Sequence, residues 1–125
     1  LNRIIHFEIA SDDPERALTF YKNVFGWKFE KWQGPFDYWL IMTGEEPEPG
    51  INGGLNRRQE IHSQSVVNTI GVESVDGAIK KIVKNGGKVL QEKTPIPGVG
   101  YLAYCEDTEG VRFGIMEADI SARYY

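Results

Sequence analysis

The chain has 125 residues, 41% hydrophobic and 26% charged, with a net charge of −4. That length suits one domain burying roughly two-thirds of its unfolded surface, and the acidic balance lacks the basic footprint of nucleic-acid binding. No apolar run approaches the ~20 residues of a membrane span, and no signal peptide is expected at the start. The single Cys105 leaves no intrachain disulfide framework, so a reducing compartment, the cytoplasm, is expected.

Residues 4–9 read as a strand. Alternation sets Ile5, Phe7 and Ile9 on an apolar face and Ile4, His6 and Glu8 on the other. Asp12-Asp13-Pro14 reads as a helix start, an Asp cap before a Pro at the first helical position. Ala17, Leu18, Tyr21, Val24 and Phe25 then form one helical stripe, which Gly26 ends. Residues 27–33 and 36–42 are expected as strands, with Gly34-Pro35 as the turn between them. Residues 45–50 form an acidic loop, residues 51–55 a short fourth strand whose paired glycines suggest close backbone approach, and residues 56–65 a polar linker.

The pattern then restarts. Residues 66–72 are expected as a strand and Ser74 as a helix cap, followed by the stripe Val75, Ala78, Ile79, Ile82 and Val83 and a stop at Gly86-Gly87. Residues 88–92, 101–105 and 111–117 are expected as strands, with residues 94–98 a loop and residues 107–110 a hairpin turn. Asp13, Ala17 and Gly26 have counterparts in Ser74, Ala78 and Gly87 at one constant offset. This is a strand–helix–three-strand module present twice, with a helix on one sheet face in each copy.

The segments HFEIASDDPERALTFYKNVFGW, GINGGL and KNGGKVLQEKTPIPGVGYLAYCEDTEGVRFGIME resemble the vicinal oxygen chelate superfamily. This is the glyoxalase, bleomycin-resistance and ring-cleaving dioxygenase family, and the resemblance spans nearly the whole chain. It implies an α+β fold of two βαβββ modules, their mixed sheets curled around a cavity with helices on the outer face. Residues 1–125 would form one such domain, with module 1 at about 1–58, a linker at about 59–65 and module 2 at about 66–120. The resemblance also implies a homodimer and, in many members, a divalent metal held by the first and last strands of each module.

Carried over residue by residue, the metal positions fall on His6, at or beside Gly54, on Val67 and on Gly114. A transition-metal site takes three or four nitrogen, oxygen or sulfur donors, and of these side chains only His6 supplies one. No metal or other cofactor is therefore expected. A zinc, nickel, iron or manganese site including His6 is the alternative. Glu117 lies three residues past Gly114, and alternation sets it on the opposite face.

His6 and Glu8 are read as a base with its orienting carboxylate, or His6 as a wall residue hydrogen-bonded to a neighbour. Trp39 and Tyr101 are expected to line the cavity as aromatic walls, with Phe36, Tyr38, Leu40 and Met42 as the row opposite Trp39. Arg112 meets an anionic ligand at the rim or is a solvated strand-end arginine. Gly54, Val67 and Gly114 complete the expected ligand-binding set. The expected function is that of a small-molecule-binding domain, its partner a small organic molecule rather than nucleic acid or membrane. The alternative is a lyase, isomerase or dioxygenase-like enzyme on a small oxygenated substrate, with His6 as base or metal ligand.

Overall fold

A computed structural model describes residues 1–59 and 64–124, so most of the expected linker, His62 included, lies outside the described residues. Eight strands and two helices follow one another as β1 (Arg3–Ser11), α1 (Pro14–Phe25), β2 (Lys28–Lys31), β3 (Tyr38–Met42), β4 (Gly53–Arg57), β5 (Val66–Gly71), α2 (Val75–Lys84), β6 (Lys88–Ile96), β7 (Gly100–Glu106) and β8 (Arg112–Ala118). Among the described residues no helix is long and apolar enough to cross a membrane. The chain divides into two compact units, His6–Val67 and Leu1–Ile5 with Asn68–Tyr125.

In the His6–Val67 unit the strands run in the order β2-β3-β4-β1. β4 lies parallel to β1, with Gly54 beside Glu8 and Asn56 beside Ala10. β3 lies antiparallel to β4, with Leu40 opposite Gly54 and Tyr38 opposite Asn56. α1 starts where the residues demand. The Asp13 carboxylate accepts from the Arg16 N–H at 3.1 Å, and Pro14 stands in the first turn, where a missing N–H is harmless. Gly26 ends the helix at φ 72°, a left-handed conformation that glycine adopts without a Cβ penalty. Between α1 and the sheet lie Trp39, Ile41 and Leu55, packed with Phe7, Ile9, Ala17, Leu18, Trp27 and Phe29.

The second unit repeats the plan with the order β5-β8-β7-β6. The Ser74 hydroxyl accepts from the Gly77 N–H at 3.1 Å and caps α2. A second cap comes from Glu117, whose Oε1 accepts from the Val75 N–H at 2.9 Å. Glu117 thus faces the helix, on the side that alternation assigns it. Val72, Val75, Ala103, Cys105 and Ile115 form the core beneath α2. Burial, with the Glu92 charge second, holds the Cys105 thiol above its ordinary pKa, so it is a packed side chain rather than a nucleophile.

Several boundaries differ from the expected ones: β2 and β3 are shorter, covering Lys28–Lys31 and Tyr38–Met42, and two strands run on. β4 continues through Asn56 and Arg57, because both pair in register with β1 instead of opening a linker. β6 continues through Thr94 and Pro95 to Ile96, where a loop is expected. It stands last in the strand order, where a missing proline N–H leaves no ladder bond unmade.

Candidate functional site

Alternation along three neighbouring strands of the His6–Val67 unit sets one group of side chains on the face away from α1. These are His6 and Glu8 from β1, Tyr38 and Leu40 from β3, and Gly54 and Asn56 from β4. The His6 Nε2 lies 3.0 Å from the Tyr38 hydroxyl, and that phenol also makes a side-chain hydrogen bond with Glu8. A carboxylate only accepts, so the phenol O–H goes to Glu8 and the phenol oxygen receives the His6 Nε2–H. In that arrangement the imidazole lone pair is on Nδ1. His6, Tyr38 and Glu8 form one chain of hydrogen bonds.

The electrostatics follow from burial. Desolvation lowers the His6 pKa below its ordinary value, and the Glu8 charge opposes that only in part. Burial, aided by the charge of Glu8 and the hydrogen bond to it, pushes the Tyr38 phenol well above its usual range. At neutral pH the chain therefore holds a neutral imidazole and an intact phenol. The imidazole can take up a proton at Nδ1, whereas the phenol donates a hydrogen bond without giving up its proton.

The sign of the His6 shift gives a pH dependence. A histidine whose folded pKa lies below its unfolded value contributes stability that is complete above the unfolded pKa, 6.5. That contribution is lost as pH falls from there through the folded pKa. The Tm should thus fall between about pH 7.5 and pH 5.5, and His6→Gln should flatten the part of that fall due to this residue. Thermal unfolding of both proteins across this window measures it, and parallel profiles would contradict a buried neutral His6.

Gly54 explains how Tyr38 reaches His6. A Cβ built on Gly54 would overlap the Tyr38 hydroxyl and Cζ, so the phenol occupies the space that any side chain here would need. Gly54 is one of the positions where the family resemblance expects a metal ligand, and a hydroxyl from the neighbouring strand stands there instead. Val67 and Gly114 offer no donor either. Among the described residues no group of three or more histidine, cysteine, aspartate or glutamate side chains is placed to hold a metal. The donor set at these positions does not fit the family's metal.

The other expected site residues divide by face. Trp39, expected toward the cavity, packs instead with Ile41 and Leu55 on the α1 side, and Tyr38 from the opposite row meets His6. Tyr101 likewise packs against the core beneath α2, with the Lys93 Nζ 4.6 Å from its ring centroid. Val67 is buried. In the second unit a Cβ on Gly114 would have the Thr69 Oγ1 at 3.1 Å and the Tyr104 Cε1 at 3.4 Å. Arg112 stands two residues before Gly114, on the same face of β8, and pairs across the strands with Glu106. His6, Glu8 and Gly54 thus come together in one unit, while Gly114 and Arg112 share a face in the other.

Tyr38, Leu40 and Asn56 are the members of the His6 face that sequence reasoning missed. The signal for Tyr38 was available. A row already carrying His6 and Glu8 wants an aromatic residue with a hydrogen-bonding tip, and a glycine in a strand marks close approach.

Eight strands in parallel and antiparallel pairing, with two helices capped by an aspartate and a serine, define a glyoxalase-like α+β fold. Residues 3–115 match the model of the Glyoxalase/Bleomycin resistance protein/Dioxygenase superfamily. The chain belongs to this family. It is 31% identical to a glyoxylase-like domain-containing protein of Didymella fabae, over 86% of this chain and 88% of that one. It is 27% identical to the lactoylglutathione lyase of Salmonella typhimurium, over 97% of this chain and 96% of the other. Among solved structures, Streptomyces coelicolor methylmalonyl-CoA epimerase in complex with 2-nitronate-propionyl-CoA superposes with a TM-score of 0.70. That match covers 98% of this chain and 99% of the other at 18% identity, a likeness of fold.

Proposed function

We propose that the domain binds a small organic molecule on the His6 face of the His6–Val67 unit without a resident metal. The observation that carries this reading is the Tyr38 hydroxyl, which fills the space over Gly54 and joins His6 to Glu8. Polar groups that converge on one face beside exposed apolar side chains are the usual composition of a small-molecule site. Leu40 and Met42, 41% and 40% exposed, supply the apolar part on that face. A homodimer in the cytoplasm belongs to the same reading.

The test is metal content and thermal stability after soaking the purified protein in zinc, nickel, iron and manganese. Well under a tenth of an equivalent is expected, with no rise in Tm, since a ligand that binds only the folded state raises stability by mass action. Small organic molecules should raise the Tm, and His6→Ala should abolish that rise. Close to one equivalent of metal per chain, lost in His6→Ala, would overturn the reading.

A second reading has its own support. A neutral His6 with the Nδ1 lone pair available suits proton abstraction, and a relative is named as a lyase. The domain would then be a metal-free lyase or isomerase acting on a small oxygenated substrate, with His6 as base and Glu8 acting through Tyr38. Turnover that persists with a chelator and disappears in His6→Ala favours this second reading over simple binding.

A further inference from the structure

Asn56 is 8% exposed, and its Oδ1 has no hydrogen-bond partner among the described residues. An acceptor buried without a donor weakens a fold. Asn56 stands on the same sheet face as the His6–Tyr38–Glu8 chain, directly across from Tyr38 on one side and beside Ala10 on the other. Tyr38 leans away from it over Gly54, and the Ala10 methyl has nothing to donate. We propose that Asn56 is a ligand-recognition residue, its Oδ1 receiving a hydrogen bond from an N–H or O–H of the molecule that this face binds. The proposal rests on the reading of the face as a binding site and adds the chemistry of the ligand.

The neighbouring groups narrow that chemistry. Glu8 brings a carboxyl group to the same face, hydrogen-bonded to Tyr38. Arg58, two residues past Asn56, sets its Nη2 3.4 Å from the carbonyl oxygen of Ala10, so positive charge as well as the Glu8 carboxyl group stands near Asn56. At the Asn56 Oδ1 itself a carboxylate is disfavoured, because it has no hydrogen to donate. An amine, amide or alcohol supplies the missing donor, and an ammonium also gains from Glu8. The exposed Leu40 and Met42 accommodate an apolar body attached to that group.

Benzylamine, benzamide and benzoate share one ring and differ in whether they can donate, so they serve as probes. Titrated into isotope-labelled protein, benzylamine or benzamide is expected to move the Asn56 side-chain amide resonances, and benzoate to leave them in place. Asn56→Leu keeps nearly the same shape and removes the buried acceptor. It should weaken the donor probes at least about tenfold while the Tm stays the same or rises, because no orphaned oxygen remains. Binding without movement of the Asn56 resonances, with affinity intact in Asn56→Leu, would overturn the role of Asn56 and leave the site standing. Benzoate binding as tightly as the other two would overturn the ligand class. A fall in Tm for Asn56→Leu, with no response of the Asn56 resonances to any probe, would mean that the oxygen is satisfied within the fold. No binding by any probe at millimolar concentration would overturn the site reading together with this proposal. The wild-type resonances carry the test even if the variant does not fold.

Discussion

Alanine at Trp39 is expected to destabilise the protein by about 3–5 kcal/mol, the range for deleting a large aromatic side chain from a core. Trp39 is 7% exposed and packs with Ile41 and Leu55, at 1% and 0%, under α1. Its removal leaves a cavity that Phe7, Ile9 and Leu18 around it can close only in part. The Lys31 Nζ, 5.3 Å from the indole centroid, also loses its aromatic partner. Urea unfolding should show a lower midpoint with little change in slope. A Trp39 that lined a ligand cavity would behave differently, losing ligand affinity at nearly unchanged stability. Those two outcomes are opposites, so one denaturation curve and one binding curve decide between them.

The misplacement of Trp39 shows where the sequence stops being informative. The helix ends were legible because local chemistry specifies them. Asp13 and Ser74 accept the helix N–H groups that cap residues are chosen to accept, and Gly26 adopts the positive φ that a helix end requires. His6 and Glu8 share a face because alternation leaves no freedom once the strand is identified. A run such as Tyr38-Trp39-Leu40-Ile41-Met42 is apolar in both parities, so alternation alone does not say which parity meets the helix. The register decides it. Trp39 stands opposite Leu55 and Tyr38 opposite Asn56, pairs that come from long-range contact and that no local pattern contains. Tyr101 fails for the same reason. Both parities of its strand carry a tyrosine, and Tyr104 rather than Tyr101 lies against Gly114.

The candidate site was legible to the same limited extent. Family positions read on the sequence reduced the metal donors to His6, and that needed only residue identities. What stands in place of a missing ligand could not be read this way, because Tyr38 reaches the position from a neighbouring strand, sixteen residues before Gly54. The resulting architecture has a chemical logic. A chain of side-chain hydrogen bonds inside a low-dielectric setting is stable when every member is satisfied and expensive when one is not. The His6–Tyr38–Glu8 chain is of the first kind and Asn56 of the second. They lie on one face, so a single bound molecule can complete the polar set.

Adding one methyl at Gly54 is expected to reverse the sign that a glycine-to-alanine change would otherwise carry. Gly54 is not among the glycines at positive φ, so its backbone accepts alanine. The reduced freedom of the unfolded chain alone would stabilise by about 0.4–1 kcal/mol. Space is the obstacle, since the new Cβ would overlap the Tyr38 hydroxyl and Cζ and lie 2.8 Å from its Cε1. The ring must swing out, breaking its bonds to His6 and Glu8, and Gly54→Ala should cost about 1–3 kcal/mol in all, as overpacking of this kind does. Tyr38→Ser removes the ring and opens the space, so in that background the same methyl should be close to neutral. The double-mutant cycle should accordingly show a coupling of roughly 1–3 kcal/mol between the two positions. Gly114→Ala is the internal comparison. Its nearest neighbours, the Thr69 Oγ1 at 3.1 Å and the Tyr104 Cε1 at 3.4 Å, need to give way by only a few tenths of an ångström. A smaller loss is expected there. Strict additivity of Gly54→Ala and Tyr38→Ser would mean that Tyr38 does not stand over Gly54, and the case for a hydroxyl in place of a metal ligand would fall with it.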